Sequence, residues 1–292
     1  MGQSAISLGS RFAAAAIDRS PDWSTFAAAK AMGAAARMTL PRPVIGVAVR
    51  AYSRYFNVAI SEIEPRVHAA GYSSFDAFFT RRLREDARPI DDDADVLVSP
   101  CDGRLREFST ISDDGQEVTA KGHAYRLEDL LTDEDLARTF VGGVAATIYL
   151  HPRDYHRVHA PCAGHVSRVI NVPGRLLPVN DAALQREPRL FACNERMIHV
   201  LDTIWGQIAI VMVAAFGVGH MTCAYADVPL HPRELVTRVL APMVAIEKGD
   251  EIGRFHLGST VVLLLPPGFS PQLAANHVAL RFGRPLLRWE KS

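Results

Sequence analysis

Lysine is scarce in this 292-residue chain: only Lys30, Lys121, Lys248 and Lys291 stand among its 32 basic residues. Few positions are therefore open to lysine-based covalent chemistry of the pyridoxal kind. Cysteine is scarce as well. Cys101, Cys162, Cys193 and Cys223 form no C-x-x-C pair, which disfavours a zinc ribbon or a thioredoxin-like motif and leaves reduced thiols as the expectation. Long apolar runs are missing, so no segment is expected to span a membrane; the longest stretch, 208–219, reads as a buried strand. Net charge is zero, 32 basic against 32 acidic residues, where a nucleic-acid binder would usually carry a basic excess. The first residues lack the charged, apolar and small-residue succession of a secretory signal, so the chain is read as not secreted.

What the sequence does have is core. Hydrophobic residues make up 48%, ample for one large domain or two modest ones, while Gly 20 and Pro 18 are ordinary and argue against disorder. Residues 1–60 differ from the rest: Ala-rich, with seven Arg and Lys against Asp18 and Asp22, a net of +5. Apolar residues at helical spacing there, interrupted by Pro41 and Pro43, predict amphipathic helices. Such a segment either lies on an anionic membrane surface or caps the domain. Ser73 or Ser74 can cap a helix presenting Phe75, Phe78, Phe79 and Leu83, the acidic run from Asp91 to Asp95 reads as a solvated linker, and a helix is expected over 127–140.

From Val144 onward short apolar runs recur at 144–150, 166–172, 197–204, 208–216, 235–240, 261–265 and 278–282, punctuated by Pro, Gly, Asn and Asp. This predicts an antiparallel, sandwich- or barrel-like β domain with a tight hairpin at Trp205-Gly206. The fold class is thus α+β, an N-terminal helical segment over 1–70 followed by a mainly antiparallel β domain over 71–292.

Three motifs carry chemistry. Asp102-Gly103 is a turn in which an aspartate is offered. The segment from His151 to Pro161 holds three of the 11 histidines, His151, His156 and His159. A metal site there is disfavoured, because no H-E-x-x-H helix is present and Pro152 and Pro161 forbid a regular helix. In an extended chain His156 and His159 point to opposite faces, which suits different roles. Leu257-Gly258-Ser259-Thr260 precedes a strand and lacks the G-x-S-x-G setting of a hydrolase elbow, so a conventional serine esterase is not favoured.

Together these motifs resemble phosphatidylserine decarboxylase of the bacterial and mitochondrial membrane-associated type. The likeness runs from about residue 70 to the end. It is carried by Phe78-Phe79-Thr80-Arg81-Arg82-Leu83-Arg84, Arg88-Pro89, Asp102-Gly103, the segment from Lys121 to Leu127, Asp154-Tyr155-His156-Arg157-Val158-His159, Asn194-Glu195-Arg196 and the L-G-S-T tetrapeptide. The resemblance implies a proenzyme that cuts itself between Gly258 and Ser259, leaving associated chains of 258 and 34 residues. It assigns Ser259 as nucleophile, His159 as base and Asp102 as its orienter, and turns Ser259 into a covalent pyruvoyl cofactor with no metal. That ketone would take phosphatidylserine as a Schiff base, with His156 as general acid, releasing CO2 and phosphatidylethanolamine. It further implies a peripheral protein on the cytoplasmic face of an anionic membrane, and leaves a homodimer open. The competing expectations are a pyruvoyl decarboxylase of another amino-acid substrate and a catalytically silent lipid-binding β domain. By the resemblance, Ala214 stands where a Gly is usual and His220 where a small or hydroxylated residue is usual, which puts substrate fit in question.

Overall fold

The basic, alanine-rich start of the chain forms two helices, α1 (Asp22–Arg37) and α2 (Arg42–Phe56), in a computed structural model that describes residues 22–112, 117–120, 123–179, 181–217, 220–272 and 277–290. Residues 1–21, and Lys121 and Gly122 of the segment from Lys121 to Leu127, lie outside the described residues. The two prolines set the break: Pro41 is the N-cap of α2 and Pro43 sits in its first turn, where a missing N–H costs nothing. The helix ends at Asn57 in the left-handed region, φ 57°. Its inner face buries Ile45 and Val49 in a small cluster with Val58, Ile63, Tyr72 and Phe78. A short helix α3 (Pro65–Ala70) follows, then α4 (Phe75–Phe79), whose cap is Ser74, accepting from the Ala77 N–H at 3.1 Å.

The β domain is built on one eight-stranded antiparallel sheet in the order β11 (Val236–Ile246), β7 (Gly164–Val172), β8 (Arg196–Thr203), β9 (Gly206–Ala214), β13 (Ser259–Leu265), β5 (Val144–Leu150), β2 (Gly103–Thr110) and β15 (Ala279–Leu280). A second sheet orders β10 (His220–Cys223), β12 (Glu251–His256) and β6 (Arg157–His159); a third orders β1 (Val96–Val98), β16 (Pro285–Trp289) and β14 (Phe269–Pro271). β3 (Glu117–Ala120) and β4 (His123–Arg126) make a hairpin. The α+β expectation holds, and among the described residues the large sheet stays open between β11 and β15 and closes no barrel. β8 and β9 form the expected hairpin, with Ile204 and Trp205 between the paired Thr203 and Gly206.

The remaining helices are α5 (Leu127–Leu131), α6 (Glu134–Arg138), α7 (Asp181–Arg186) and α8 (Leu190–Cys193). The single helix expected over 127–140 is two. Thr132 takes φ 56° and ends the first, and Asp133 caps the second by accepting from the Leu136 N–H at 2.9 Å. The acidic run is tied down. Lys248 donates to the carbonyls of Asp91, Asp93 and Val96, and Arg288 pairs with Asp93 at 2.5 Å.

β13 runs through the interior of the large sheet. It lies between β9 and β5, and Val261 to Leu265 are fully buried. Ser259 is its first residue, paired on one side with Leu150, the last of β5, and on the other with Ala214, the last of β9.

Candidate active site

The backbone leading into β13 departs from extended geometry. Leu257 has φ 86° and Gly258 φ 29°, both in the left-handed region. Glycine tolerates this; a leucine there costs on the order of 1–3 kcal/mol and persists only where its surroundings dictate it. The strained pair sits between two fixed points, the end of β12 at His256 and the start of β13 at Ser259.

Both neighbours of Ser259 are themselves anchored. The Asn194 amide donates to the carbonyls of Ala214 (2.8 Å) and Leu177 (3.0 Å), and Ala214 donates its N–H to the Glu195 carbonyl at 2.8 Å. Arg196 is fully buried with its guanidinium spent on the carbonyls of Asp129, Leu130, Ala192 and Asn194. The Asn-Glu-Arg motif thus braces the strand end beside Ser259. After Leu150 the chain turns through His151-Pro152-Arg153-Asp154. The Asp154 carboxylate accepts from the His151 N–H at 2.8 Å and closes that turn, before the short β6 begins.

His156 and His159 leave this segment into different surroundings, as their odd spacing predicts. His156 is fully buried against the Phe79 ring, 4.1 Å between centroids. Its Nδ1 donates to the Asp154 carbonyl at 2.9 Å, a partner that can only accept, so the neutral ring keeps its lone pair on Nε2. That Nε2 is buried and has no hydrogen-bond partner among the described residues. Burial pushes the His156 pKa down to about 3, with Arg81 and His151 adding repulsion.

The His159 ring stacks on the Phe282 ring (3.8 Å between centroids) and lies beside the nearly parallel Tyr155 ring (5.6 Å). Its Nδ1 donates to the Gly249 carbonyl at 2.8 Å, and its Nε2 accepts from the Tyr155 hydroxyl at 3.1 Å. Burial lowers its pKa to about 4, so it too is neutral near pH 7. The Asp-Gly turn abuts this histidine through the His159 N–H, which donates to the Pro100 carbonyl at 2.8 Å. Asp102 itself does not hold the imidazole nitrogen. Its carboxylate accepts from Arg88 Nε (2.8 Å) and Nη2 (2.5 Å) and from the Phe282 N–H (2.9 Å), so it bears on His159 through the ring of Phe282.

Several residues that sequence reasoning gave no role complete the site. Arg88 bridges Asp102 and Glu62. Arg81 is buried, donating to the carbonyls of Arg153 (2.9 Å) and Asp154 (3.2 Å). Arg157 ties the Thr80 carbonyl at the end of α4 to Glu251 of β12. All three stand in motifs that carry the resemblance, but their partners are distant in sequence and no spacing reveals them. A cleft of about 290 Å³ opens beside His159, lined by Arg82, Arg84, Arg88, Tyr155, Arg157, Glu251 and Phe282 among others. Among the described residues no group of His, Cys, Asp and Glu is arranged to hold a metal ion.

Helices α1 and α2 frame the same end of the sheet. The Tyr52 hydroxyl of α2 donates to the Pro152 carbonyl at 2.9 Å and Phe56 packs edge-on to His151, in the loop after β5. Met32 of α1 lies against Gly217, in the loop after β9, and Arg37 donates to His220 at 2.6 Å. Apart from its buried face, α2 has a second stripe: Val44 (53% exposed), Val47 (60%) and Tyr55 (67%), with Ala48 and Ala51 between them and Arg50 and Arg54 alongside. No described helix is long and apolar enough to cross a membrane.

Comparison with known proteins bears on the chemistry. The sequence profile of the family named phosphatidylserine decarboxylase matches residues 75–288. A phosphatidylserine decarboxylase proenzyme of Myxococcus xanthus (strain DK1622) is 42% identical over 238 residues, covering 81% of this chain and 84% of its own length. One from Anaeromyxobacter sp. (strain K) is 42% identical over 270 residues, 89% of this chain and 93% of its own. A third, from Escherichia coli (strain 55989 / EAEC), is 42% identical over 246 residues, 80% and 76% of the two chains.

Proposed function

The chain belongs to the phosphatidylserine decarboxylase family, and from that membership we propose that it cuts itself between Gly258 and Ser259 to make the catalyst that removes CO2 from phosphatidylserine. It is a decarboxylase, in this reading a carbon–carbon lyase yielding phosphatidylethanolamine. The observation that carries the self-cleavage is the strained Leu257–Gly258 pair immediately before a serine that opens a strand hydrogen-bonded on both sides. Strain in the ground state lowers the step to a reacting geometry.

In the cut, the Ser259 hydroxyl attacks the Gly258 carbonyl carbon while its proton passes to a base. The C–N bond then breaks, the nitrogen takes up a proton, and an ester joins the two chains. His159 is the base we assign. It is neutral near pH 7, its Nδ1–H is held by Gly249, and its Nε2 lone pair receives protons directly or through the Tyr155 hydroxyl. Asp102 orients it at one remove, holding the Phe282 backbone whose ring lies flat on the imidazole. Loss of the Ser259 α-proton with departure of the Gly258 carboxylate opens the ester. Water then replaces the nitrogen, which leaves as ammonia, and the short chain begins with a pyruvoyl group. That fragment stays in place, because β13 keeps β9 and β5, β15 keeps β2, and β16 keeps β1.

The residues present fit such a group. Ser259 and its strand neighbours Leu150 and Ala214 would hold it, and the Nε2 of His156 is a buried nitrogen with no partner among the described residues. Once formed, the group supplies an electron-accepting carbonyl for the substrate amine. His156 Nε2 can take the proton that the substrate ammonium must shed and return it to the α-carbon after CO2 has left.

Access to a lipid follows from the helices. α1 and α2 pack on the two loops that flank Ser259, and the exposed stripe of Val44, Val47 and Tyr55 beside Arg50 and Arg54 suits the headgroup region of an anionic leaflet. We therefore assign the protein a peripheral position there. Denaturing electrophoresis with mass spectrometry tests the core of the reading: the wild type should give fragments of 258 and 34 residues, the smaller blocked by pyruvoyl, and Ser259→Ala one uncut chain. A wild type that remains continuous yet releases CO2 from phosphatidylserine would refute it.

A further inference from the structure

Of the two fixed points around the strained pair, the one at Ser259 is a strand. The other is a side chain. His256 closes β12, and its Nδ1 donates to both carboxylate oxygens of Asp76 on α4, at 2.8 and 2.9 Å. Its Nε2 meets the Thr222 hydroxyl at 3.1 Å, and its ring is stacked on His220 of β10, 3.8 Å between centroids and 12° between planes. His220 is held in turn by Arg37, which donates to its Nδ1 at 2.6 Å. An imidazole gripped at both nitrogens and on one face has no freedom to rotate, and the backbone it belongs to cannot unwind without breaking that grip. The catalytic assignments leave this cluster without a task.

We infer that His256 is a positioning residue for self-cleavage: held by Asp76, Thr222 and His220, it keeps Leu257–Gly258 in the left-handed geometry from which Ser259 attacks. The inference rests on the self-cleavage reading. Cutting of freshly synthesised protein, followed by electrophoresis, tests it, with melting temperatures taken on matching uncut chains that also carry Ser259→Ala. His256→Ala should slow cutting by at least about tenfold, since small misplacements of reacting groups cost this much or more. His256→Asn retains a donor toward Asp76 and should recover most of the rate. Asp76→Ala, which removes the other end of the grip, should slow cutting too, and the double variant should be no slower than the worse single one, because one grip can be lost only once. Equal rates in wild type and His256→Ala overturn the inference. So does a loss that Asn fails to restore, or one that tracks the melting temperature across the variants. A wild type that never cuts overturns the self-cleavage reading, and the positioning role with it.

Discussion

At the residue scale the two histidines separate by what each has left to offer. His156 has a buried nitrogen without a partner among the described residues, and His159 has both nitrogens engaged and a tyrosine hydroxyl to pass protons through. His156→Ala should therefore cut at a near-normal rate and lose decarboxylation by at least about 10²-fold, the lower range for removal of an acid–base group. His159→Ala should fail at the earlier step and accumulate uncut chain. Electrophoresis and CO2 release on the same preparations distinguish the two; a His156→Ala protein that also stays uncut would merge the roles and remove the assignment. Asp102 makes a second test. Its carboxylate is buried with Arg88, so Arg88→Ala alone strands a charge and should cost about 3–5 kcal/mol in chemical denaturation, while adding Asp102→Asn should recover part of that. That the two histidines take different surroundings was legible in their odd spacing. The Arg88–Asp102 bond and the placing of Gly249 beneath His159 were not, because they join segments that meet only after folding.

At the scale of elements, the apolar runs located the strands well, since a buried strand writes its own pattern. Ends were harder to read. β11 continues past Pro242 because an edge strand tolerates a missing donor, and its register with β7 slips between Val239 and Val244. The helix expected over 127–140 breaks at Thr132 because Asp133 offers a better start to a second one. Helix α2 is the element on which lipid access turns. It carries two apolar stripes, one spent on the small core with Phe78 and one facing out, and periodicity alone detects both without saying which is buried. Val47→Asp combined with Tyr55→Asp should leave the melting temperature and self-cleavage unchanged. It should cut sedimentation with anionic vesicles by at least tenfold, since burying even part of a valine and a tyrosine is worth about 1.4 kcal/mol or more. Unchanged sedimentation would move the docking surface elsewhere on the molecule.

For the molecule as a whole, the neutral charge of the sequence conceals a pronounced sensitivity to acid. Burial lowers the pKa of His156 and His199 to about 3 and of His159 and His220 to about 4, and lowers that of His151 as well. In each case the folded pKa is below the ordinary value, so the unfolded chain binds protons that the native protein refuses. The stability these groups contribute is complete above about pH 6.5 and is lost as the pH falls toward 4 and 3. Each fully buried imidazole costs up to about 1.4 kcal/mol per pH unit in that window, against a total stability of roughly 5–15 kcal/mol for a domain. Glu62 and Glu251, held low by their arginines, add losses in the same direction below about pH 4.5, whereas Asp154, raised by burial, opposes them. Melting temperature should therefore be flat between about pH 7 and 8 and fall steeply between about pH 6 and 4. The measurement belongs on the Ser259→Ala chain, where cutting cannot change the molecule during the titration. His199 isolates the cause: it is bonded to the Tyr225 hydroxyl and contacts the Met212 sulfur, and it has no part in the assigned chemistry. His199→Gln should lower stability at pH 7 yet flatten the acid limb by about one proton's worth of slope. A limb of unchanged steepness would mean that the buried imidazoles are not what acid attacks.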